Sequence, residues 1–122
     1  MTGNILIVDD EVSVADFLVE LLQIKGYSTT VYYESQKAIK NFSEEPEKYD
    51  LVITDQTMPS VTGAELAEKL LLIRPDMPII LCTGYSEAVN EEKALGIGIS
   101  RYMQKPIDIQ DLLSAVEALL AH

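Results

Sequence analysis

The chain has 122 residues, 48% of them apolar, and a formal charge of −11, so it is long enough for one domain that buries above ~60% of its unfolded surface and too short for two. Nine basic residues against twenty acidic ones argue against direct contact with nucleic acid or an anionic membrane, because phosphate groups repel such a surface. The lone Cys82 cannot form an internal disulfide and, with no basic leader and no apolar run near ~20 residues, predicts a soluble, unprocessed protein of a reducing cytoplasm.

Asn4 to Val8 (NILIV) is a nearly continuous apolar run that stops at Asp9-Asp10-Glu11, the pattern of a strand buried on both faces. From Glu11 to Lys25 the apolar residues Val14, Phe17, Leu18, Leu21 and Leu22 recur at helical spacing, with Gly26 as the C-terminal stop. Ser28 to Tyr33 is β-branched and aromatic with a polar start, suiting an edge strand. Ser35 is placed to cap a shorter helix reaching about Ser43, with Ala38, Ile39 and Phe42 on its buried face. A charged loop broken by Pro46 leads into Leu51-Val52-Ile53 and then Asp55. Met58-Pro59 forces a turn, since the residue before a proline is driven out of the helical region.

Gly63 to Leu72 predicts a helix carrying Leu66, Leu70 and Ile73, stopped by Pro75 and Pro78. Ile79 to Cys82 reads as the fourth strand, ending at Thr83-Gly84, and its apolar neighbours make Cys82 a buried thiol. Ser86 to Leu95 reads as a helix closed by Gly96, and Arg101 to Gln104 as a short fifth strand running into Lys105-Pro106. Asp108 is placed to cap the last helix, with Asp111 as a weak capping-box partner and Leu112, Leu113, Val116, Leu119 and Leu120 facing the core.

Five strands alternating with five helices predict a doubly wound α/β domain, a parallel sheet covered on both faces. In the flavodoxin-like order 2-1-3-4-5 the ligand crevice lies at the switch between strands one and three, here between Asp9-Asp10 and Asp55. Parallel strands would also bring Thr83-Gly84 and Lys105 to that edge. Three crowded carboxylates raise one another's pKa unless a cation neutralises them. Oxygen ligands without nearby histidine or cysteine favour Mg²⁺ over zinc. Lys105 offers a point charge and Thr83 a hydroxyl to phosphoryl oxygens, while Gly84 leaves the approach open. An Asp nucleophile, a divalent cation and a lysine suffice for phosphoryl transfer.

VDDE at Val8 to Glu11, DQTMPSVTG at Asp55 to Gly63, TGYSE at Thr83 to Glu87 and KP at Lys105-Pro106 together resemble the receiver domains of two-component response regulators, over essentially the whole chain. The resemblance implies that Asp55 accepts phosphate from a kinase phosphohistidine. It implies that Asp10, Asp55 and the Thr57 carbonyl ligate Mg²⁺ while Asp9 acts through water, and that Thr83 and Lys105 bind the phosphoryl oxygens. A cis Lys105-Pro106 bond is expected from it, as is a switch in which Thr83 and Tyr102 move together and alter the face of helix four, strand five and helix five. A phosphorylation-dependent homodimer is a further expected partner. Thr57 and Tyr85 fill positions that tune phosphoaspartate hydrolysis, and Gln56 stands where the family is often apolar, which alters the packing behind Asp55. TDQTMPSVTG and ILCTGYSE especially resemble receivers of hybrid sensor histidine kinases.

The competing function is a small Mg-dependent phosphatase with an aspartate nucleophile. Such enzymes carry an Asp-x-Asp pair after the first strand and an inserted cap, whereas Asp9 and Asp10 are adjacent and no cap fits. A flavin-type cofactor binder lacks its phosphate loop after strand one. Helix one carries a second apolar stripe, Val12, Ala15 and Val19, roughly 140° from the face that holds Val14, Phe17, Leu18 and Leu21. With Pro106 and Ile107 it is the expected docking surface for a histidine kinase or histidine phosphotransfer domain.

Overall fold

In the computed structural model, which describes residues 3–84 and 90–121, the apolar runs pair as parallel strands. These are β1 (Asn4–Val8), β2 (Ser28–Tyr32), β3 (Leu51–Asp55), β4 (Ile79–Thr83) and β5 (Arg101–Gln104), in the order β2-β1-β3-β4-β5. The connections are α1 (Val12–Ile24), α2 (Ser35–Glu44), α3 (Gly63–Ile73), α4 (Glu91–Ile97) and α5 (Ile109–Leu120). The doubly wound 2-1-3-4-5 fold expected from the sequence is therefore the observed one.

Side chains alternate across a strand, so the central strands feed two cores. Leu6, Val8, Val52 and Leu81 face Phe42 of α2, Leu66 and Leu70 of α3 and Ala94 of α4. Ile5, Ile7, Ile53 and Ile80 face Leu18 and Leu22 of α1 and Leu112 and Val116 of α5. Each fully buried Leu or Ile contributes roughly 1.5–3 kcal/mol relative to exposure, and β3 is buried along its whole length.

The helices differ from expectation in how they face and where they stop. In α1 the buried line is Ala15, Leu18 and Leu22, while Phe17 is 51% exposed and Val12 52%. Ala15, assigned to the outer stripe, is thus core, and Phe17, assigned to the core, is surface. Periodicity fixes angles between residues but not which residue meets the sheet, and the small Ala15 occupies the fully covered position. Ser35 is the first helical residue of α2 and is buried, its hydroxyl 3.4 Å from the Pro59 carbonyl, with Glu34 at the N-cap. Ile73 is exposed at the end of α3, where Ala64 and Ala67 share the buried face with Leu66 and Leu70.

Asn90 lies outside α4 and caps it, its side chain accepting from the Lys93 N–H at 2.8 Å. The expected start at Ser86 lies outside the described residues. Gly98, at φ 115°, ends this helix rather than Gly96, because a left-handed stop suits a residue without Cβ. Asp108 caps α5 as expected, accepting from the Asp111 N–H at 3.0 Å.

Candidate functional site

The strand ends deliver the site. The Asp9 N–H still bonds the Tyr32 carbonyl at 3.2 Å, extending the sheet, and its Oδ1 accepts from the Glu11 N–H at 2.9 Å. That turn holds the Asp9 carboxylate inward, 3% exposed, and leaves Asp10 exposed at the rim. Asp55 closes β3 at 4% exposure. Carboxylate oxygens of Asp9, Asp10 and Asp55 come within 4.8 Å of one another.

Opposite them, Lys105 Nζ lies 2.5 Å from Asp55 Oδ1 and 3.9 Å from Glu11 Oε1. The Lys105 N–H donates to the Thr83 carbonyl at 2.7 Å, continuing the β4–β5 pairing and aiming the lysine at Asp55. The Lys105-Pro106 peptide is cis, as the resemblance implied. Thr83 is fully buried, and its Oγ1 has no hydrogen-bond partner among the described residues. Buried hydroxyls are usually satisfied, so an unmet Oγ1 fits a site built to take a further oxygen ligand. Gly84 is half-buried beside it.

The electrostatics follow from crowding. Burial, above all, raises Asp9 from 3.8 to about 6; the Glu11 N–H opposes this, and the nearby Asp55 charge adds to it. Burial works against the charge on Lys105, but the Asp55 hydrogen bond and the Asp55, Asp9 and Glu11 charges outweigh it and raise its pKa. Burial pushes the Cys82 thiol up to about 12, so it is protonated near neutrality and no nucleophile. A convergent all-oxygen acidic set beside one lysine matches the donor chemistry of a hard divalent cation.

The loop after β3 is tightly made. Val61 N–H bonds the Pro59 carbonyl at 2.8 Å around Ser60 at φ 69°, a γ-turn of the rare positive-φ kind. Gly63 opens α3 against the strand, where a Cβ would overlap the Asp55 carbonyl oxygen and sit 2.7 Å from Leu81 Cδ1. Thr57, on this loop, is exposed.

Tyr102 pairs with Leu81 across β4–β5 and packs, half-buried, on the core that contains Ala94 and Ile99. Of the docking residues, Val12 and Pro106 are exposed, Val19 and Ile107 half-buried, and Ala15 buried. Tyr85 lies outside the described residues. Three features escaped the sequence reading: the Glu11 approach to Lys105, the exposed Phe17, and the Thr62–Glu65 capping box at the start of α3. The T-x-x-E spacing carried the last of these.

A 2-1-3-4-5 sheet with acids, a hydroxyl and a lysine gathered at its carboxyl edge defines a flavodoxin-like module with an acidic site at the switch point. The chain belongs to the response regulator receiver domain family, whose profile matches residues 5–117. It is 34% identical over 121 residues to the response regulator ArlR of Staphylococcus aureus, covering 96% of this chain and 52% of that protein. It is 32% identical over 118 residues to the uncharacterized transcriptional regulatory protein YkoG of Bacillus subtilis, covering 97% and 51%. The chain thus spans about half the length of these curated relatives. Among solved structures, a response regulator receiver domain protein from Clostridium thermocellum superposes with a TM-score of 0.92 at 30% identity, covering 98% of this chain and 94% of that one. A CheY-like receiver domain protein from Methanospirillum hungatei gives 0.88 at 30% identity, covering 99% and 95%. These curated relatives are a response regulator and a transcriptional regulator, so they lend no support to attachment to a hybrid kinase.

Proposed function

We propose that this receiver domain is a phosphoacceptor switch in which Asp55 takes a phosphoryl group from the phosphohistidine of a histidine kinase or phosphotransfer domain. The observation that carries the reading is the convergence of Asp9, Asp10 and Asp55 oxygens beside Lys105 Nζ. An Asp55 carboxylate oxygen attacks phosphorus, an O–P bond forms, and the P–N bond breaks with its electron pair passing to the departing imidazole. Lys105, held on Asp55 Oδ1, then pairs with a phosphoryl oxygen, and the unmet Thr83 hydroxyl donates to another. Asp9, Asp10, Asp55 and the Thr57 carbonyl would hold Mg²⁺, which when bound neutralises the charge that builds on the transferring oxygens.

Drawing Thr83 onto the phosphoryl group links the site to β5, since the Thr83 carbonyl accepts from Lys105 and Tyr102 lies three residues earlier. A ligand shifts such an equilibrium only through contacts that differ between its states. The face of α4, β5 and α5 is therefore the output surface and the candidate homodimer face. The test is incubation with a small acyl phosphate and Mg²⁺, followed by location of the base-labile phosphate by mass and by NMR at Tyr102. The expected result is one label, at Asp55, abolished by a chelator and accompanied by a shift at Tyr102. Labelling that persists without divalent cation, or that lies elsewhere, rejects the reading.

Docking of the phosphodonor belongs on the outer side of α1. Phe17 and Ile109, 51% and 42% exposed, line an apolar cavity of about 270 Å³ that opens beside Asp55 and Lys105 and is lined also by Pro106 and Ile107, while Val12, 52% exposed, stands outside it at the start of the same helix as Phe17. Apolar surface gathered next to the reacting atoms suits a partner helix that must present its histidine there. Val12→Lys is expected to slow transfer from the protein donor about tenfold, the scale of one lost interface anchor, and to leave labelling by the small acyl phosphate unchanged. Equal transfer rates in both chains would make the stripe ordinary surface. Val12 is the better probe than Val19, whose half-buried side chain packs on the core.

A further inference from the structure

Gln56 follows the acceptor aspartate and is buried, although its side chain is polar. The first N–H groups of a helix lack partners within it, and at the start of α3 two of them end on this residue. The Gly63 N–H donates to the Gln56 carbonyl at 3.0 Å, and the Ala64 N–H to its side-chain Oε1 at 2.8 Å. The third, from Glu65, goes to Thr62 Oγ1 at 3.2 Å. Gln56 also donates its own N–H to the Cys82 carbonyl at 2.9 Å. One residue therefore fastens both ends of the 57–62 loop, to β4 on one side and to α3 on the other.

That loop needs fastening. Its Ser60 sits at φ 69°, and a non-glycine residue keeps such a conformation only where its surroundings over-determine it. The Thr62–Glu65 capping box covers only the Glu65 and Thr62 N–H groups, so the Ala64 N–H is left to Gln56 Oε1, and that bond ties α3 back to the residue beside Asp55. We propose that Gln56 is a positioning residue for the cation site, its Oε1 holding the Ala64 N–H so that the loop closes and the Thr57 carbonyl is set at a fixed place relative to the Asp55 carboxylate. The proposal rests on the reading that the Asp9, Asp10 and Asp55 cluster binds Mg²⁺. It assigns to Gln56 the role that outer-shell partners play at metal sites, where their loss typically lowers metal affinity about 10–100-fold.

The experiment is an Mg²⁺ titration of the whole chain by NMR for the wild type, Gln56→Met, Gln56→Glu and Thr62→Ala. Gln56→Met and Thr62→Ala each delete one acceptor at the start of α3, but only the first removes the side-chain tie between α3 and the residue beside Asp55, the main-chain bonds of residue 56 remaining in both. Gln56→Met is expected to bind Mg²⁺ about tenfold more weakly, Thr62→Ala to bind as the wild type does, and Gln56→Glu, which keeps the acceptor, to bind at least as tightly. Wild-type affinity in Gln56→Met would overturn the proposal and leave Gln56 a helix cap. Should Gln56→Met fail to fold, the wild type still decides. By reciprocity of coupling, a clasp that strengthens metal binding must itself be strengthened by metal, so Mg²⁺ must slow hydrogen exchange at the Ala64 amide more than at Glu65. An Ala64 amide indifferent to Mg²⁺ overturns the proposal. A wild type that binds no Mg²⁺ overturns the reading of the acidic cluster itself, and the role of Gln56 with it.

Discussion

Asp55→Asn is expected to take up no phosphoryl group from a small acyl phosphate at any Mg²⁺ concentration, with the fold intact. Asparagine keeps the shape of the side chain and an Oδ1 within reach of Lys105 Nζ, so the 2.5 Å contact has a successor and the packing at the end of β3 is conserved. What disappears is the negative nucleophile, and a neutral amide oxygen does not displace a phosphoryl group. Loss of label to background, with an unchanged amide spectrum away from the site, is the outcome that identifies Asp55 as acceptor. Undiminished labelling in the variant would place the acceptor elsewhere.

Asp9→Asn is expected to act in opposite directions on stability and on metal binding. Burial raises Asp9 to about 6 from 3.8, so the folded chain holds this proton more tightly than the unfolded chain does. The penalty for the buried charge is therefore absent below about 3.8, grows between there and about 6, and is complete at neutral pH. A shift of roughly two units corresponds to at most about 3 kcal/mol. Asparagine removes the charge and keeps an Oδ1 to accept from the Glu11 N–H. The cation-free variant should thus be more stable than wild type at pH 7.5 by about 1–3 kcal/mol, with Tm higher by roughly 4–8 °C per kcal/mol at most. The difference should shrink as pH falls through 6 and vanish near 4. Mg²⁺, which stabilises the wild type by binding its folded form, should stabilise the variant far less. Thermal melts at several pH values, with and without Mg²⁺, check both halves. A variant less stable than wild type at pH 7.5 would mean that Asp9 contributes more through its hydrogen bond than its charge costs.

The strand ends were legible from residue types because a strand buried on both faces is a solid apolar run, and the first charge marks its exit. Asp9, Asp55 and Thr83 stand where such runs stop, Lys105 follows the short, partly exposed edge strand β5, and parallel pairing left them only one edge to share. The facing of α1 was not legible in the same way. Phe17 and Ala15 differ by about 160° on the helix, taken the short way round, and hydrophobicity favours burying Phe17. The sheet instead covers Ala15, and Phe17 is left at the rim of the cavity beside Asp55. The clasp at Gln56 was invisible for another reason. Its partners are the backbone N–H groups of Gly63 and Ala64, which every non-proline residue carries, so residue identity says nothing about them. What could be read was the oddity of a glutamine in a position that the family often fills with an apolar side chain.

β3 lies at the centre of the sheet, hydrogen-bonded to β1 on one edge and β4 on the other, and every one of its residues is buried. Fraying at the sheet edges does not free its middle: the neighbouring strand that accepts from an amide there must part from it, within a core covered on both faces, before that amide meets water. The exchange rate at Ile53 is therefore a clock for the opening of the whole molecule. The Asp55 carboxylate at the end of this strand rides on a fully buried element, while the loop just beyond it turns through Ser60 at φ 69°. A ligand gathered at the acidic cluster thus meets two unlike walls, a central strand closed in on every side and a loop fastened at its two ends.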